Sequence, residues 1–134
     1  MAIEILVDTN VYIDLMKYGR DPVSILGEWV GSSELVTCGM VRLEVLRGLK
    51  NPRVRQRISS FMDIMINIRT DAAFWPDATD LAWQLDRQGK VIPGADIIIA
   101  ACALRTSAAV LTFDAHFRAI DGLRVIAPPA EWFS

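Results

Sequence analysis

The chain has 134 residues, of which 52% are hydrophobic and 22% are charged, and its net charge at pH 7 is −2. This length predicts a single domain spanning residues 1–134, and the near-neutral charge excludes nucleic-acid binding through an overall basic surface. The two cysteines, Cys38 and Cys102, lack the spacing of a zinc site and are interpreted as small buried side chains in a reducing compartment. The chain does not open with a secretory signal, and its longest apolar run, Ile97–Leu104, is too short to span a membrane. We therefore expect a cytoplasmic protein with no membrane contact.

The first half of the chain alternates between short β-branched runs and amphipathic segments, which indicates strands followed by helices. Residues that favour helix N-caps stand at 8–10, and the pair Asp21-Pro22 is typical of a helix start. In the third helix, Glu44 lies at the edge of the apolar stripe, so its carboxylate is expected to be half buried. The predicted strands are 3–7 and 34–37, and the predicted helices are 11–17, 21–31 and 40–49.

The second half of the chain continues this alternation. Apolar residues recur with helical spacing between Val54 and Met65, and the helix that follows Asp71 is expected to turn Trp75 inward. The segment after Pro93 is apolar on nearly all sides, which indicates a helix buried in the centre of the fold. Helices are predicted to begin at 51, 71, 93 and 114, and strands are predicted at 66–69, 109–112 and 123–126.

Strands that alternate with helices predict an α/β fold, with a parallel sheet covered on both faces. We expect a three-layer α/β/α sandwich with a mostly parallel sheet of four to five strands. Ligands of such folds bind beyond the carboxyl ends of the strands. Asp8 and Asp114 each follow a predicted strand, Asp96 begins a helix near the same edge, and Glu44 lies on a third segment. The four acids are therefore expected to converge at one end of the sheet.

Each of these acids also has a purely structural interpretation. Asp8 and Asp114 could cap the helices that follow them, and Asp96 could complement the dipole of its helix. Glu44 could be an exposed residue that pairs with a nearby arginine, Arg42 or Arg47. Together, however, ionised carboxylates in apolar surroundings are costly. Four of them at one edge would need a compensating cation, for which Mg²⁺ or Mn²⁺ is the simplest candidate.

Four sequence blocks carry a resemblance to a known family. They are a hydrophobic strand leading into DTN at 8–10, EVLRGL at 44–49, IPGADIIIAACAL at 92–104, and LTFDAHF at 111–117 followed by GLRVI. With these blocks in this order and spacing, the chain resembles the PIN-domain ribonucleases, and within them the VapC-type toxins of bacterial and archaeal toxin–antitoxin pairs. The resemblance covers nearly the whole chain, and the acidic set of the family is intact.

The resemblance implies a catalytic, metal-binding set of acids and two supporting hydroxyl groups. The acids are Asp8, Glu44, Asp96 and Asp114, and the supporting residues are Thr9 and Thr112. One or two ions of Mg²⁺ or Mn²⁺ would activate water for hydrolysis of an RNA phosphodiester, which leaves 5′-phosphate and 3′-hydroxyl ends. We interpret Asp8 and Asp96 as direct ligands, with the other two acids binding directly or through water. Without an ion, repulsion among the acids should raise at least one pKa.

Other chemistries fit these residues less well. His116 is the sole histidine, which excludes RNA cleavage by a histidine pair, and we interpret it as a surface or packing residue. A haloacid-dehalogenase phosphatase would need a second aspartate at position 10, which is Asn10. The acidic pair and phosphoacceptor of a receiver domain are not evident, and the chain has neither a Walker motif nor GxGxxG.

Six basic residues and only one acid lie between positions 42 and 57. This cluster could bind RNA phosphates, or it could be an ordinary solvated helix face. Arg47 lies one helical turn after Glu44 and is the best candidate for contact with a substrate or an antitoxin. The first two helices carry apolar residues that we interpret mainly as core, namely Tyr12, Leu15, Met16, Ile25, Leu26, Trp29 and Val30. The resemblance implies that these helices border an antitoxin groove.

The sequence thus predicts a metal-dependent endoribonuclease that acts as the toxin of a VapBC-type pair. The resemblance implies an RNA substrate, a cognate VapB-type antitoxin and a homodimer. Two other hypotheses stay open. One is a housekeeping PIN-domain nuclease that processes RNA without an antitoxin, which the compact size disfavours. The other is a non-catalytic, protein-binding PIN module, which the intact acidic quartet disfavours.

Overall fold

A parallel sheet of five strands forms the centre of the fold, and helices flank it. The structure is a computed structural model that describes residues 2–134. The strands are β1 Ile3–Val7, β2 Ser33–Cys38, β3 Ile66–Ile68, β4 Ala109–Leu111 and β5 Val125–Ile126. They lie in the sheet in the order β3-β2-β1-β4-β5. The predicted α/β sandwich is confirmed, and every pair of neighbouring strands is parallel.

Helices connect the strands. They are α1 Thr9–Lys17, α2 Pro22–Gly27, α3 Gly39–Arg47, α4 Pro52–Asp63, α5 Phe74–Arg87 and α6 Gly94–Thr106. Most begin within one or two residues of the predicted start, but α5 begins at Phe74, three residues after the predicted start at Asp71. Asp8, Asp21 and Asn51 cap α1, α2 and α4, because their side-chain oxygens accept hydrogen bonds from backbone amides at the helix start. Two 3-10 helices, Ala115–Ala119 and Ala130–Phe133, follow later in the chain. None of the helices within residues 2–134 is long and apolar enough to cross a membrane.

Other local predictions also differ from the structure. Helix α2 ends at Gly27 rather than Gly31, because the next residues form tighter turns with hydrogen bonds such as that from the Val30 amide to the Gly27 carbonyl. The segment after Asp114 is a 3-10 helix rather than an α-helix. The inward position predicted for Trp75 is wrong, since Trp75 is 47% exposed and its neighbour Phe74 is 1% exposed. The buried stripe of α5 therefore starts one residue earlier than predicted.

The strand order brings the carboxyl ends of β1 and β4 side by side. Val7 pairs with Leu111, and the backbone amide of Asp8 donates to the Leu111 carbonyl at 2.9 Å. The residues that follow the two strands, Asp8 and Thr112, are therefore held next to each other. This edge lies at the point where the chain order of the strands reverses, which is where α/β sheets bind ligands.

Candidate active site at the carboxyl edge of the sheet

Asp8 is a buried carboxylate, with 3% of its surface exposed. Its Oδ1 accepts a hydrogen bond from the Thr9 amide at 2.8 Å, and its Oδ2 accepts one from the Thr112 hydroxyl at 2.8 Å. Burial raises the pKa of Asp8 from 3.8 to about 6, and these two hydrogen bonds oppose the rise. Both carboxylate oxygens are thus fixed in orientation while the charge is kept in a poorly solvated place.

Thr112 connects two segments of the chain, 8–10 and 112–114, through one hydroxyl group. It donates to Asp8, and it accepts from the backbone amide of Asp114 at 2.9 Å and from the side-chain amide of Asn10 at 3.2 Å. The Asn10 carbonyl oxygen in turn accepts from the Phe113 amide at 3.4 Å. Thr112 therefore sets the position of Asp114 relative to Asp8.

Glu44 lies half buried on α3, as the sequence predicts. Its Oε1 accepts a hydrogen bond from the Thr9 hydroxyl at 2.8 Å. The alternative pairing with Arg42 is not observed, since Arg42 forms an ion pair with Asp63 instead. Arg47 is exposed in the last turn of α3 and forms no ion pair with any residue from 2 to 134. Thr9 thus links Glu44 to Asp8, because its amide binds one acid and its hydroxyl the other.

Asp96, Asp114 and His116 form the tightest group of potential ligands. One ligand atom from each lies within 4.8 Å of the others, and no other such group of three occurs among residues 2–134. The His116 Nδ1 is 3.0 Å from Asp114 Oδ1 and 3.5 Å from Asp96 Oδ2. This group contains Asp114 and lacks Asp8, whereas the sequence interpretation named Asp8 and Asp96 as the direct ligands.

The four acids influence one another electrostatically. The pKa of Asp96 is raised, first by burial and next by the charge of Asp114, while His116 opposes the rise. The charges of Asp96 and Glu44 likewise contribute to the raised pKa of Asp8. The expected rise in pKa is therefore present, but for Asp8 and Asp96 burial is its largest cause and repulsion is secondary.

The donor set fits a hard divalent cation. The ion pairs that lysine or arginine form within residues 2–134 all involve other acids, namely Asp21, Asp63 and Asp71. The acids at the sheet edge therefore lack a lysine or arginine counter-charge, although Asp8 is buried. Carboxylate oxygens are the ligands that Mg²⁺ and Mn²⁺ prefer. Asp96 and Asp114 could hold such an ion, with Glu44 and Asp8 close enough to interact with its charge.

Sequence reasoning missed two residues of this site. His116 was interpreted as a surface or packing residue, but its half-exposed ring lies against two of the acids. Its position two residues after Asp114 was the available signal, although that spacing brings the side chains together only through the 3-10 turn. Asn10 belongs to the DTN block, yet its contact with Thr112 joins residues that are 102 positions apart.

The two cysteines are buried, as predicted, and they are neighbours in space. Cys38 ends β2 and Cys102 lies on α6, and both are free thiols without exposed surface. A hydrogen bond between the two thiols lowers the pKa of Cys38 and raises that of Cys102. Their proximity adds to the packing of α6 against the rest of the core.

An apolar groove lies away from the acids, between α1, α2 and α4. Its cavity of about 490 Å³ is lined by Met16, Pro22, Val54 and Ile58, with Arg20, Asp21, Arg57 and Gly19 also bordering it. A second cavity of about 310 Å³ shares Met16 and is lined by Val45 and Leu49 of the neighbouring segment. Because Met16 lines both cavities, we call the surface that contains them the α1 groove. The other apolar residues predicted on these helices differ in solvent exposure. Tyr12, Leu15 and Leu26 are fully buried, whereas Val30 is exposed.

Comparisons with known proteins agree with this architecture. The chain is similar to VapBC2 from Rickettsia felis, solved bound to a DNA fragment from the promoter, with a TM-score of 0.78 and 19% identity over 95% of this chain and 100% of that chain. It is similar to VapBC-1 from nontypeable Haemophilus influenzae, with a TM-score of 0.75 and 21% identity over 98% and 100% of the two chains. It is also similar to a toxin–antitoxin complex from Klebsiella pneumoniae, with a TM-score of 0.64 and 26% identity over 93% and 98%.

Sequence comparison places the chain in a family. A comparison with curated proteins found no sequence match. The sequence model described as the PIN domain, in contrast, matches residues 5–123, a range that includes all four acids and both supporting threonines. Because this match covers most of the chain and the fold agrees with it, the chain belongs to the PIN domain family.

Proposed function

We propose that this protein is a metal-dependent endoribonuclease and the toxin of a VapBC-type toxin–antitoxin pair. The observation that carries the proposal is the acidic site itself. Asp8, Glu44, Asp96 and Asp114 come from four segments, interact electrostatically at the carboxyl edge of the sheet, and have no lysine or arginine partner among residues 2–134. PIN-family membership makes phosphodiester hydrolysis the chemistry that this site fits best.

In this proposal each side chain has a defined task. Asp96 and Asp114 would bind one Mg²⁺ or Mn²⁺ ion directly, and Glu44 and Asp8 would bind it through water or hold a second ion. When bound, the metal supplies charge neutralisation at the phosphate and activation of the attacking water. Thr112 holds Asp8 and Asp114 in a set position relative to each other through its hydrogen bonds, and Thr9 orients Glu44. Hydrolysis of this kind leaves 5′-phosphate and 3′-hydroxyl ends.

Basic residues of α3 and α4 are proposed to bind the RNA backbone. Arg47 stands three residues after Glu44 on the same helix and is exposed, so its guanidinium is available to a phosphate near the acids. Lys50, Arg53 and Arg55 are also exposed and form no ion pair within residues 2–134. Arg42 and Arg57 contribute less, because each is paired with an aspartate.

The proposed partner is a VapB-type antitoxin that binds in the α1 groove. Support comes from the apolar lining of the groove and from the similar solved structures, which are VapBC proteins and a toxin–antitoxin complex. An amphipathic segment would bury its apolar side chains against Met16 and Val54. As a toxin of this class, the protein would act in the cytoplasm, and we expect it to form a homodimer there.

Expression in cells tests the proposal. Induction of the wild-type chain alone should arrest growth, whereas Asp8→Asn should restore it because the buried carboxylate next to the metal is lost. Asp86→Asn is a matched control, since Asp86 is an exposed acid on α5 outside the site. Co-expression of a small protein encoded just upstream should relieve the arrest.

The outcomes separate the three functions considered above. An Asp8→Asn protein as toxic as the wild type would refute the catalytic mechanism. A wild-type protein that cleaves RNA but has no upstream partner and causes no arrest would favour a housekeeping nuclease. A protein that neither arrests growth nor cleaves RNA would favour a binding module.

A further inference from the structure

We propose that His116 donates an imidazole nitrogen to the divalent ion bound by Asp96 and Asp114, so that the metal centre has mixed nitrogen and oxygen ligands. This inference rests on the proposed metal-dependent function and adds a ligand that is not one of the four acids. An imidazole ligand would also change which metal ions the site favours.

The distances around His116 suit neighbouring ligands of one ion. Two ligand atoms that occupy adjacent positions about 2.1 Å from a metal lie about 3 Å apart. The His116 Nδ1 lies 3.0 Å from Asp114 Oδ1 and 3.5 Å from Asp96 Oδ2. All three residues present one ligand atom within 4.8 Å of the others. An ion could therefore bridge the three atoms with small movements of their side chains.

The backbone holds His116 in this position. Asp114 caps the 3-10 helix Ala115–Ala119, and its Oδ1 accepts a hydrogen bond from the His116 amide at 2.9 Å. The next residue, Phe117, has no exposed surface and anchors this helix in the core. Asp114 itself is fixed through its amide, which donates to Thr112. The imidazole and the carboxylate are thus parts of one rigid turn, which is the arrangement that a chelating site requires.

A nitrogen ligand predicts a specific metal preference. Mg²⁺ favours oxygen ligands and gains little from imidazole, whereas Mn²⁺, which also prefers oxygen ligands, belongs to the transition-metal ions and gains more from a nitrogen ligand. Removal of the His116 ring should therefore weaken Mn²⁺ binding roughly tenfold while changing Mg²⁺ binding less than about twofold. If His116 only donates a hydrogen bond to the carboxylates, its loss should affect the two ions alike.

Pulsed electron paramagnetic resonance of bound Mn²⁺ provides the direct test. The full chain is prepared without a histidine tag, so that His116 is the single histidine in the sample. Wild-type protein should show the hyperfine coupling of a directly bound imidazole ¹⁴N, and selective ¹⁵N-histidine labelling should convert it to ¹⁵N coupling. His116→Gln should lose this signal while it still binds Mn²⁺ with the reduced affinity given above. Asp86→Asn should behave as the wild type, and thermal melts should show that each variant is folded.

The results distinguish failure of this inference from failure of the proposed function. If the wild type binds Mn²⁺, Asp96→Asn abolishes the binding, and no histidine coupling is seen, His116 is not a ligand and the metal-dependent function stands. Equal loss of Mn²⁺ and Mg²⁺ affinity in His116→Gln would also overturn the inference. If Mn²⁺ does not bind the wild type, or binds Asp96→Asn equally well, the proposed metal centre fails and the inference fails with it.

Discussion

Two buried threonines near the carboxyl ends of β2 and β4 differ in how their hydroxyl groups are satisfied. Thr112 makes one hydrogen bond as a donor and two as an acceptor at the acidic site. The hydroxyl of Thr37 is buried and has no hydrogen-bond partner among residues 2–134. A buried hydroxyl contributes to stability only when its hydrogen bonds are made. The two positions therefore allow the same substitution to be compared in two opposite environments.

Thr112→Val should lower the free energy of unfolding by about 1–3 kcal/mol, because it leaves the Asp8 Oδ2 and the Asp114 amide without a hydrogen-bond partner. Thr37→Val should be neutral or stabilising by up to about 1 kcal/mol, because it removes an unsatisfied polar group at nearly constant volume. Urea denaturation of both variants measures the difference. Equal losses of stability would show that Thr112 has no special role in holding the site.

Asp8 makes the stability of the protein depend on pH. Its pKa is about 6 in the folded protein and 3.8 ordinarily, so the folded state binds the proton more tightly than the unfolded state. The stability that this proton provides is fully present below about pH 4 and is lost as pH rises through about 6. Ionised Asp8 therefore destabilises the protein at neutral pH when no cation is bound.

Asp8→Asn should consequently gain stability relative to the wild type as the pH rises in EDTA, by up to about 3 kcal/mol between pH 4 and pH 8 for a pKa rise of about two units. The variant gains stability because its asparagine side chain carries no charge, whereas the ionised carboxylate of the wild type loses solvation when it is buried. The gain should disappear below about pH 4, where wild-type Asp8 is protonated. Urea denaturation across this range measures it, with Asp86→Asn as an exposed control. A stabilisation that grows as the pH falls would contradict the account.

The sequence predicted the four acids but only part of how they are arranged. Asp8 and Asp114 were recognisable because each directly follows an apolar strand, and the sheet places such residues at one edge. Which acids lie closest depends on side-chain rotamers and on the turn after Asp114, so the proximity of His116 to Asp96 was not predictable from spacing alone. The site residues and their metal roles stay predictions.

At the level of secondary-structure elements, the spacing of apolar residues did not identify which aromatic ring at the start of helix α5 is buried. Two aromatic residues stand next to each other at its start, and either could begin the apolar stripe. Phe74 is buried and packs edge-to-face against Trp75 at 5.1 Å between ring centroids, while Trp75 faces solvent. Helical spacing from Phe74 leads to the buried residues Ala78 and Leu85. Ala78 lies four residues after Phe74 and three after Trp75, so either ring fits the helical spacing, and packing against the core decides which one is buried.

This pair of residues supplies a matched stability test. Phe74→Ala should cost about 3–5 kcal/mol, because it removes a fully buried ring and leaves a cavity between α5 and the core. Trp75→Ala should cost less, about 1–2 kcal/mol, because about half of the indole is already in water and alanine is the better helix former. Thermal or urea unfolding of the two variants gives the comparison. A larger loss from Trp75→Ala than from Phe74→Ala would mean that Trp75, and not Phe74, faces the core.

For the whole molecule, the alternation of strands and helices predicted the parallel sheet and its helical layers. It did not predict the order β3-β2-β1-β4-β5, because a strand's neighbours depend on which crossovers pack best and not on its own residues. That order is what puts β1 beside β4 and brings Asp8 to Thr112. The site is therefore a property of the topology as much as of the four acidic residues.

The central claim is that the acids at this edge form a metal-dependent RNA-cleaving site. The most direct measurement is cleavage of total cellular RNA by the purified chain with Mg²⁺, Mn²⁺ or EDTA, followed by mapping of the RNA ends. The account predicts discrete cleavage only with a divalent ion, 5′-phosphate and 3′-hydroxyl ends, loss of cleavage in Asp96→Asn, and full cleavage in Asp86→Asn. Cleavage that persists in EDTA, that leaves 2′,3′-cyclic phosphate ends, or that is undiminished in Asp96→Asn would contradict it.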